Sequence, residues 1–163
     1  MIDGGTGTLG VGATICALAM GATKIFVTGR NTDLLARLKS VAPNRIHALV
    51  AGEGVVEEIL QNTHGLGVDV IIQCLGANAP AKSVVTSIKA LRRGGDLMTH
   101  QKSILGSLWF TTAEGQAMAD MAEAGVLNLQ VFEHQSYSIE KVDEALAALE
   151  VRDGGFTNIV IVH

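Results

Sequence analysis

The sequence predicts an α/β fold: a doubly wound parallel sheet followed by a C-terminal strand–helix–strand tail. Three observations predict it. Short runs rich in Val and Ile alternate with longer amphipathic segments through residues 1–125. The connections between them are only a few residues long. The run "VDVIIQCLG", Val68–Gly76, is almost continuously apolar, which suits a central parallel strand covered on both faces.

Each element has a local reason. Met1–Asp3 is a strand stub that enters a Gly-rich turn at once, so the chain reads as starting at a truncation point. Leu9–Met20 is an apolar helix closed by Gly21, and Lys24–Thr28 is a buried strand. Asn31 or Thr32 caps "TDLLARLKSVA", whose Leu34, Leu35 and Leu38 share one face, and Pro43 ends it. "IHALVA" is a third strand, "EGVVEEILQN" an amphipathic helix and "THGLG" a turn. Pro80 at a first helical position opens "AKSVVTSIKALRR"; Arg92-Arg93 complements the helix dipole and Gly94 follows the end. "GDLM" and "SILGSLWF" are the fifth and sixth strands. Thr111 with Glu114 forms a capping box for "TAEGQAMADMAEA", ended by Gly125. Residues 126–163 break the rhythm with an extended piece, the helix "SIEKVDEALAALEV" and the strand "NIVIV", which is expected to be an edge without its usual neighbour.

Bulk properties exclude several classes. With 163 residues, 48% of them hydrophobic, the chain can bury its own core and is no disordered linker. A net charge of −4 without a basic stripe argues against nucleic acid and against anionic membrane surfaces. No apolar run approaches the roughly 20 residues of a membrane helix, and no signal peptide opens the chain. Two cysteines, Cys16 and Cys74, are too few for a disulfide framework and read as small hydrophobes. The expected setting is soluble, reducing and cytoplasmic.

The chemistry lies in a glycine turn. Gly5-Thr6-Gly7-Thr8-Leu9-Gly10 matches G-x-G-x-x-G, with a strand stub before it, a helix after it and a second strand about twenty residues on. In a Rossmann-type unit Gly5 permits the tight turn, Gly7 admits a pyrophosphate and Gly10 lets helix and sheet approach. The helix N-terminus offers free N–H groups to the phosphates. Residues 1–125 are therefore expected to form a dinucleotide-binding domain with a truncated first strand.

An NAD site usually carries an acid at the end of its second strand, to accept hydrogen bonds from the adenine ribose. Here "IFVTGRN" has Gly29 at that position and Arg30 after it. Losing the acid removes a repulsion and makes room, and the guanidinium supplies a fixed cation for a 2′-phosphate. Thr28 and Asn31 add neutral donors. The site is read as shaped for NADP(H); the competing reading is an NAD site in which Arg30 is a solvated turn residue.

The segments "GGTGTLGVGATICALAMGATKIFVTGR", "GVDVIIQCLG", "LRRGGDLM", "ILGSLWFTT" and "YSIEKVDEALAALEVRDGGFTNIVIV" resemble the medium-chain dehydrogenase/reductase family, the zinc-type alcohol dehydrogenases and their zinc-free quinone reductase relatives. The resemblance covers essentially the whole chain. It implies a hydride-transferring oxidoreductase acting on an alcohol or carbonyl substrate, with Gly5–Leu9 holding the pyrophosphate and Gly29 with Arg30 the adenosine end. Leu75 and Gly76 would lie against the nicotinamide, Leu108 and Trp109 would contact its carboxamide, and "SILGSLWF" would pair with its twin in a homodimer. In the family, residues 126–163 would return to a catalytic domain, which is absent here along with its zinc ligands and proton relay. Zinc thus belongs to an intact enzyme of the zinc branch, not to this chain. The connection from "GGDLM" to "THQKSILG" is also shorter than the family's.

Other candidates have plainer readings. Tyr137 and Lys141 fit the Y-x-x-x-K catalytic pair of short-chain dehydrogenases, but that chemistry needs both on one helix. Ser138 reads as the N-cap of a helix starting at Ile139, leaving Tyr137 outside as half of a hydrophobic staple with Val142. His47, His64, His100, His134 and His163 show no metal-type spacing. Asp69 is expected to cap local backbone, and Glu57-Glu58 to be a solvated helix face. No catalytic residue is assigned: the isolated chain is expected to bind cofactor and turn over nothing. The alternative is a non-catalytic NADPH-binding module or structural fragment.

Overall fold

The computed structural model describes residues 1–76, 79–92, 104–106, 110–152 and 154–163. Strand β1 (Ile2–Asp3) leads through the glycine turn into α1 (Thr8–Ala19), followed by β2 (Ile25–Gly29), α2 (Thr32–Val41), β3 (Ile46–Val50), α3 (Val55–Asn62) and β4 (Ile72–Gln73). These four strands form a parallel sheet in the order β3-β2-β1-β4. The order reverses direction beside β1, which puts a topological switch point at the end of the shortest strand. Helices α4 (Ala81–Lys89) and α5 (Thr112–Glu123) follow. The tail then adds β5 (Glu133–Ser138), α6 (Val142–Val151) and β6 (Thr157–Val162). β5 and β6 pair in parallel as a separate two-stranded sheet.

Alternation along β2 divides the core. Ile25 and Val27 face one side, where they join Ile2, Val11, Ile15, Leu35, Leu38 and Ile46. Phe26 faces the other, with Leu49, Val55, Ile59, Val68 and Ala90. Two residues of the tail, Leu127 and Phe156, belong to the first cluster. Phe156 is 1% exposed, and the Arg37 guanidinium of α2 lies 4.1 Å from its ring centre while also pairing with Glu133 at 2.6 Å. The tail is thereby fastened to α2 at the leading end of both strands of its small sheet.

Most of the local signals hold. Asn31 caps α2 by accepting from Asp33 N and Leu34 N, and Thr111 with Glu114 forms the full capping box of α5. Gly21 and Gly125 follow their helices at φ +86° and +70°.

Four expectations change. The run Val68–Gly76 forms only the two-residue β4, with Val70 62% and Ile72 39% exposed, because β4 is the outer strand among the described residues and only β1 flanks it. Helix α4 begins after Pro80, which is its extended N-cap, and ends at Lys89. It stops early because Ala90–Arg92 leave to pair with Val68: Val68 N donates to Ala90 O and Arg92 N to Val68 O, both at 2.8 Å. Arg92 therefore pairs with Asp69 at 2.9 Å instead of serving a helix end, and among the described residues Asp69 caps no backbone. Within "SILGSLWF", residues 104–106 and 110 lie in no strand, and Leu105 is 89% exposed. "GDLM" lies outside the described residues. Among the described residues no helix is long and apolar enough to cross a membrane, and β6 has β5 as its sole strand partner.

Truncation of Phe156→Ala should cost about 3–5 kcal/mol, the range for a fully buried aromatic. Urea unfolding followed by circular dichroism will measure it.

Candidate functional site

The switch point is built by backbone packing too close for side chains. Gly5 N donates to Thr28 O at 2.7 Å, and a Cβ on Gly5 would sit 1.9 Å from Val27 Cγ1. A Cβ on Gly10 would lie 2.3 Å from Gly4 O and 2.5 Å from Gly5 Cα. The reversal itself is made by Gly4, at φ +82°, and not by Gly5 as the motif suggests. Gly5 is needed for the close approach to β2. Gly7 differs from both: the nearest atom to its missing Cβ is Gly4 O at 3.9 Å, so its face is open.

Gly7 is also the N-cap of α1. It offers no side-chain cap, and the first turn contains no acid. Gly7, Thr8 and Leu9 are exposed, while Gly10 is buried. The first turn of α1 is thus partly exposed at Thr8 and Leu9, with the positive end of the helix dipole behind it, a disposition that favours an anion, while Gly155 of the tail packs against Gly7 and Thr8 N.

Beneath the turn lies a polar network absent from the motif. Asp3, 6% exposed, ends β1 and takes one hydroxyl on each carboxylate oxygen: Thr28 Oγ1 at 2.5 Å and Ser87 Oγ at 2.6 Å. Thr28 in turn accepts from Gly4 N at 3.2 Å. β1, β2, α4 and the turn are joined through one carboxylate. Thr28 is consequently a buried organiser of the turn, its hydroxyl committed inward. The outward donor expected of it at this position is not available.

At the end of β2, Gly29 is buried and Arg30 exposed. A Cβ on Gly29 would meet Thr6 Cγ2 at 2.7 Å and Leu35 Cδ2 at 3.3 Å. The missing acid therefore creates no empty room: Thr6, from the glycine turn, fills the space. Arg30 makes no ion pair among the described residues. Asn31 uses its carbonyl oxygen to cap α2. Beside these residues an open cleft of about 620 Å³ runs between the β3–α3 connection and α4, bordered by Thr28, Gly54, Glu57, Lys82, Ser83 and Lys89.

Leu75 and Gly76 follow β4 on the same side, and Leu75 Cδ2 lies 3.0 Å from the position of a Cβ on Gly4. Leu108 and Trp109 lie outside the described residues. The sequence reading missed the tail's part in the site. Gly155 N donates to Thr6 O at 3.0 Å, and Arg152 Nη2 donates to Thr8 Oγ1 at 2.8 Å. No local signal marks either contact.

The remaining candidates stay apart from the turn. Tyr137 is on β5, whereas Lys141 closes the short 3-10 turn Ile139–Lys141 and pairs with Glu144 at 3.6 Å. Ser138 stands at the N-cap position of that 3-10 turn, with no side-chain cap bond, and Lys141 holds that position for α6. Burial pushes both thiols up, with Asp3 adding to the effect at Cys74, which makes neither a ready nucleophile at neutral pH. Among the described residues no three His, Cys, Asp or Glu side chains gather as a metal site, so these residues do not fit a zinc ion.

The family profile described as zinc-binding dehydrogenase matches residues 8–101, more than half of the chain. The chain belongs to the zinc-binding dehydrogenase family. This is a branch of the medium-chain dehydrogenase/reductases, and the Rossmann-type sheet described above agrees with it. Among solved structures, AibC superposes on this zinc-binding dehydrogenase family member with a TM-score of 0.79 at 18% identity, over 99% of this chain and 48% of that one. An Escherichia coli CFT073 alcohol dehydrogenase, rspB, solved with NADH, gives 0.76 at 13% identity, over 99% and 51%. The alcohol dehydrogenase of the archaeon Aeropyrum pernix gives 0.74 at 18% identity, over 99% and 49%. At such identities the likeness establishes the fold alone, and the chain spans about half the length of each of these proteins. No curated protein sequence matches it.

Asp3→Asn should destabilise the fold by about 1–3 kcal/mol, since an amide nitrogen cannot accept the hydroxyl that the lost oxygen served. Ser87→Ala, which leaves Thr28 bonded, should cost about 1 kcal/mol. Chemical denaturation of both variants will rank them.

Proposed function

We propose that this chain is the NADP(H)-binding half of a medium-chain oxidoreductase. Residues 1–125 carry the dinucleotide, and residues 126–163 are the segment that in the family returns to the catalytic domain. The reading is carried by one observation: the second strand ends in Gly29 and an exposed Arg30 that forms no ion pair among the described residues, beside a glycine turn whose helix has no side-chain cap. A guanidinium there matches a 2′-phosphate, and no carboxylate at position 29 opposes it.

The residues of this chain bind and orient. The first N–H groups of α1 face the diphosphate across Gly7, and Arg30 meets the 2′-phosphate. Leu75 and Gly76 flank the nicotinamide, with Leu108 and Trp109 toward its carboxamide. A bound nicotinamide supplies hydride transfer. Polarising an alcohol or carbonyl oxygen falls to residues outside this chain, so the isolated chain binds cofactor without turnover. Pairing of two copies through residues 103–110 belongs to the same reading, as does a cytoplasmic location; Ile104, Leu105 and Phe110 are exposed apolar residues suited to an interface.

Calorimetric titration with NADPH and NADH tests the assignment. The chain should prefer NADPH, and Arg30→Ala should reduce NADPH affinity about tenfold with NADH affinity unchanged, the effect of one charge-assisted contact. Equal affinity for both, insensitive to Arg30→Ala, would establish an NAD site. Binding of neither would favour a structural fragment. Alcohol oxidation by the pure 163-residue chain would refute the predicted inactivity.

A further inference from the structure

Gly29 owes its identity to a neighbour and not to its own backbone. It lies within β2, with its main chain in register with β3, and it is not among the glycines at positive φ. An alanine or an aspartate can adopt such a strand conformation. What a side chain would meet there is Thr6: a Cβ on Gly29 falls 2.7 Å from Thr6 Cγ2 and 3.1 Å from Thr6 Oγ1, with Leu35 Cδ2 at 3.3 Å. Leu35 is 3% exposed within the core, so the added atom has little room to back away.

Thr6 cannot clear the contact by turning its side chain. Its Cβ carries three substituents besides Cα, and the positions now held by Cγ2 and Oγ1 both face Gly29. The third substituent is the only hydrogen, so every staggered rotamer keeps a methyl or a hydroxyl in at least one of those two positions. The backbone is also held. Gly5 N, just before Thr6, donates to Thr28 O of β2 at 2.7 Å, and Thr6 O accepts from Gly155 N of the tail at 3.0 Å. Thr6 is clamped between β2 and the tail, with its branched end over position 29.

Building on the NADP(H) reading above, we infer that Thr6 is a specificity-determining residue of the nucleotide site. An NAD site places a carboxylate at the end of the second strand. Here Thr6 fills the space that the stem of such a carboxylate needs, and the end of β2 is left to Arg30. Cofactor choice is held by the pair Thr6 and Gly29, and an acid at position 29 becomes usable only when position 6 is trimmed.

Thermal unfolding tests the contact without a ligand. Gly→Ala at a compatible backbone position ordinarily stabilises a fold by restricting the unfolded chain. Gly29→Ala should instead lower the melting temperature by about 5 °C, and the same change made on a Thr6→Ala background should cost far less. Calorimetric titration of the full chain with NADPH and NADH tests the specificity. Gly29→Asp alone should lose NADPH affinity about tenfold without gaining NADH affinity, and Thr6→Ala/Gly29→Asp should bind NADH about tenfold more tightly than Gly29→Asp does. Thr6→Val/Gly29→Asp, which keeps the shape of threonine, should match Gly29→Asp. Should Gly29→Asp fail to fold, the alanine comparison decides. A Gly29→Ala chain as stable as wild type would overturn the inference, as would a Gly29→Asp chain that gains NADH affinity as fully as Thr6→Ala/Gly29→Asp. Either result leaves the NADP(H) reading standing. A wild-type chain that binds neither cofactor would refute that reading and the role of Thr6 with it.

Discussion

The structure depends on how closely main chain can approach main chain around residues 4–10. Three segments converge there, the end of β1, the start of α1 and the tail, and β2 passes beneath. Methyl-sized atoms at Gly5, Gly10 or Gly155 would overlap neighbours at 1.9–2.4 Å. Close-packed interiors do not absorb such overlaps without moving backbone. Of the four glycines between residues 4 and 10, only Gly7 has open space at its Cβ position, where something from outside can approach. Tight packing and open access therefore alternate within six residues, and the helix dipole emerges at the open one.

Polar groups reinforce this geometry. Asp3 collects hydroxyls from β2 and α4, and the Thr28 hydroxyl it holds supports Gly4 N at the bend. Buried networks of this kind are costly when incomplete, and no buried side-chain N or O among the described residues lacks a partner. Positive charge lies outside this network: Arg30 is exposed at the end of β2, and Arg152 is bonded to Thr8 and Thr157. The interior carboxylate shapes the turn, and the cations stay outside it.

Much of this was legible in the sequence. The caps at Asn31 and Thr111 are local chemistry, decided within three or four residues, and they were read correctly. The buried β2 and the G-x-G-x-x-G turn were likewise visible, since period and glycine spacing are local patterns. The errors share a different character. The early end of α4 follows from a bridge to Val68, the identity of Gly29 from the side chain of Thr6, and the seat of Gly155 from the turn itself. Each is settled by a contact between distant positions. Arg152 and Thr8, 144 residues apart, are the extreme case. A "DGG" sequence between a helix and a strand reads as an ordinary loop until the surface on which it rests is known.

The Gly155 seat also sets an order of events in the cell. A chain leaves the ribosome from its N-terminus, so residues 4–8 emerge before their partners at Arg152 and Gly155. Until then the nascent turn lacks its cover, and the loop to be closed between Thr8 and Arg152 spans 144 residues, a slow step for contacts so remote in sequence. Completion of this region thus waits for synthesis of the tail.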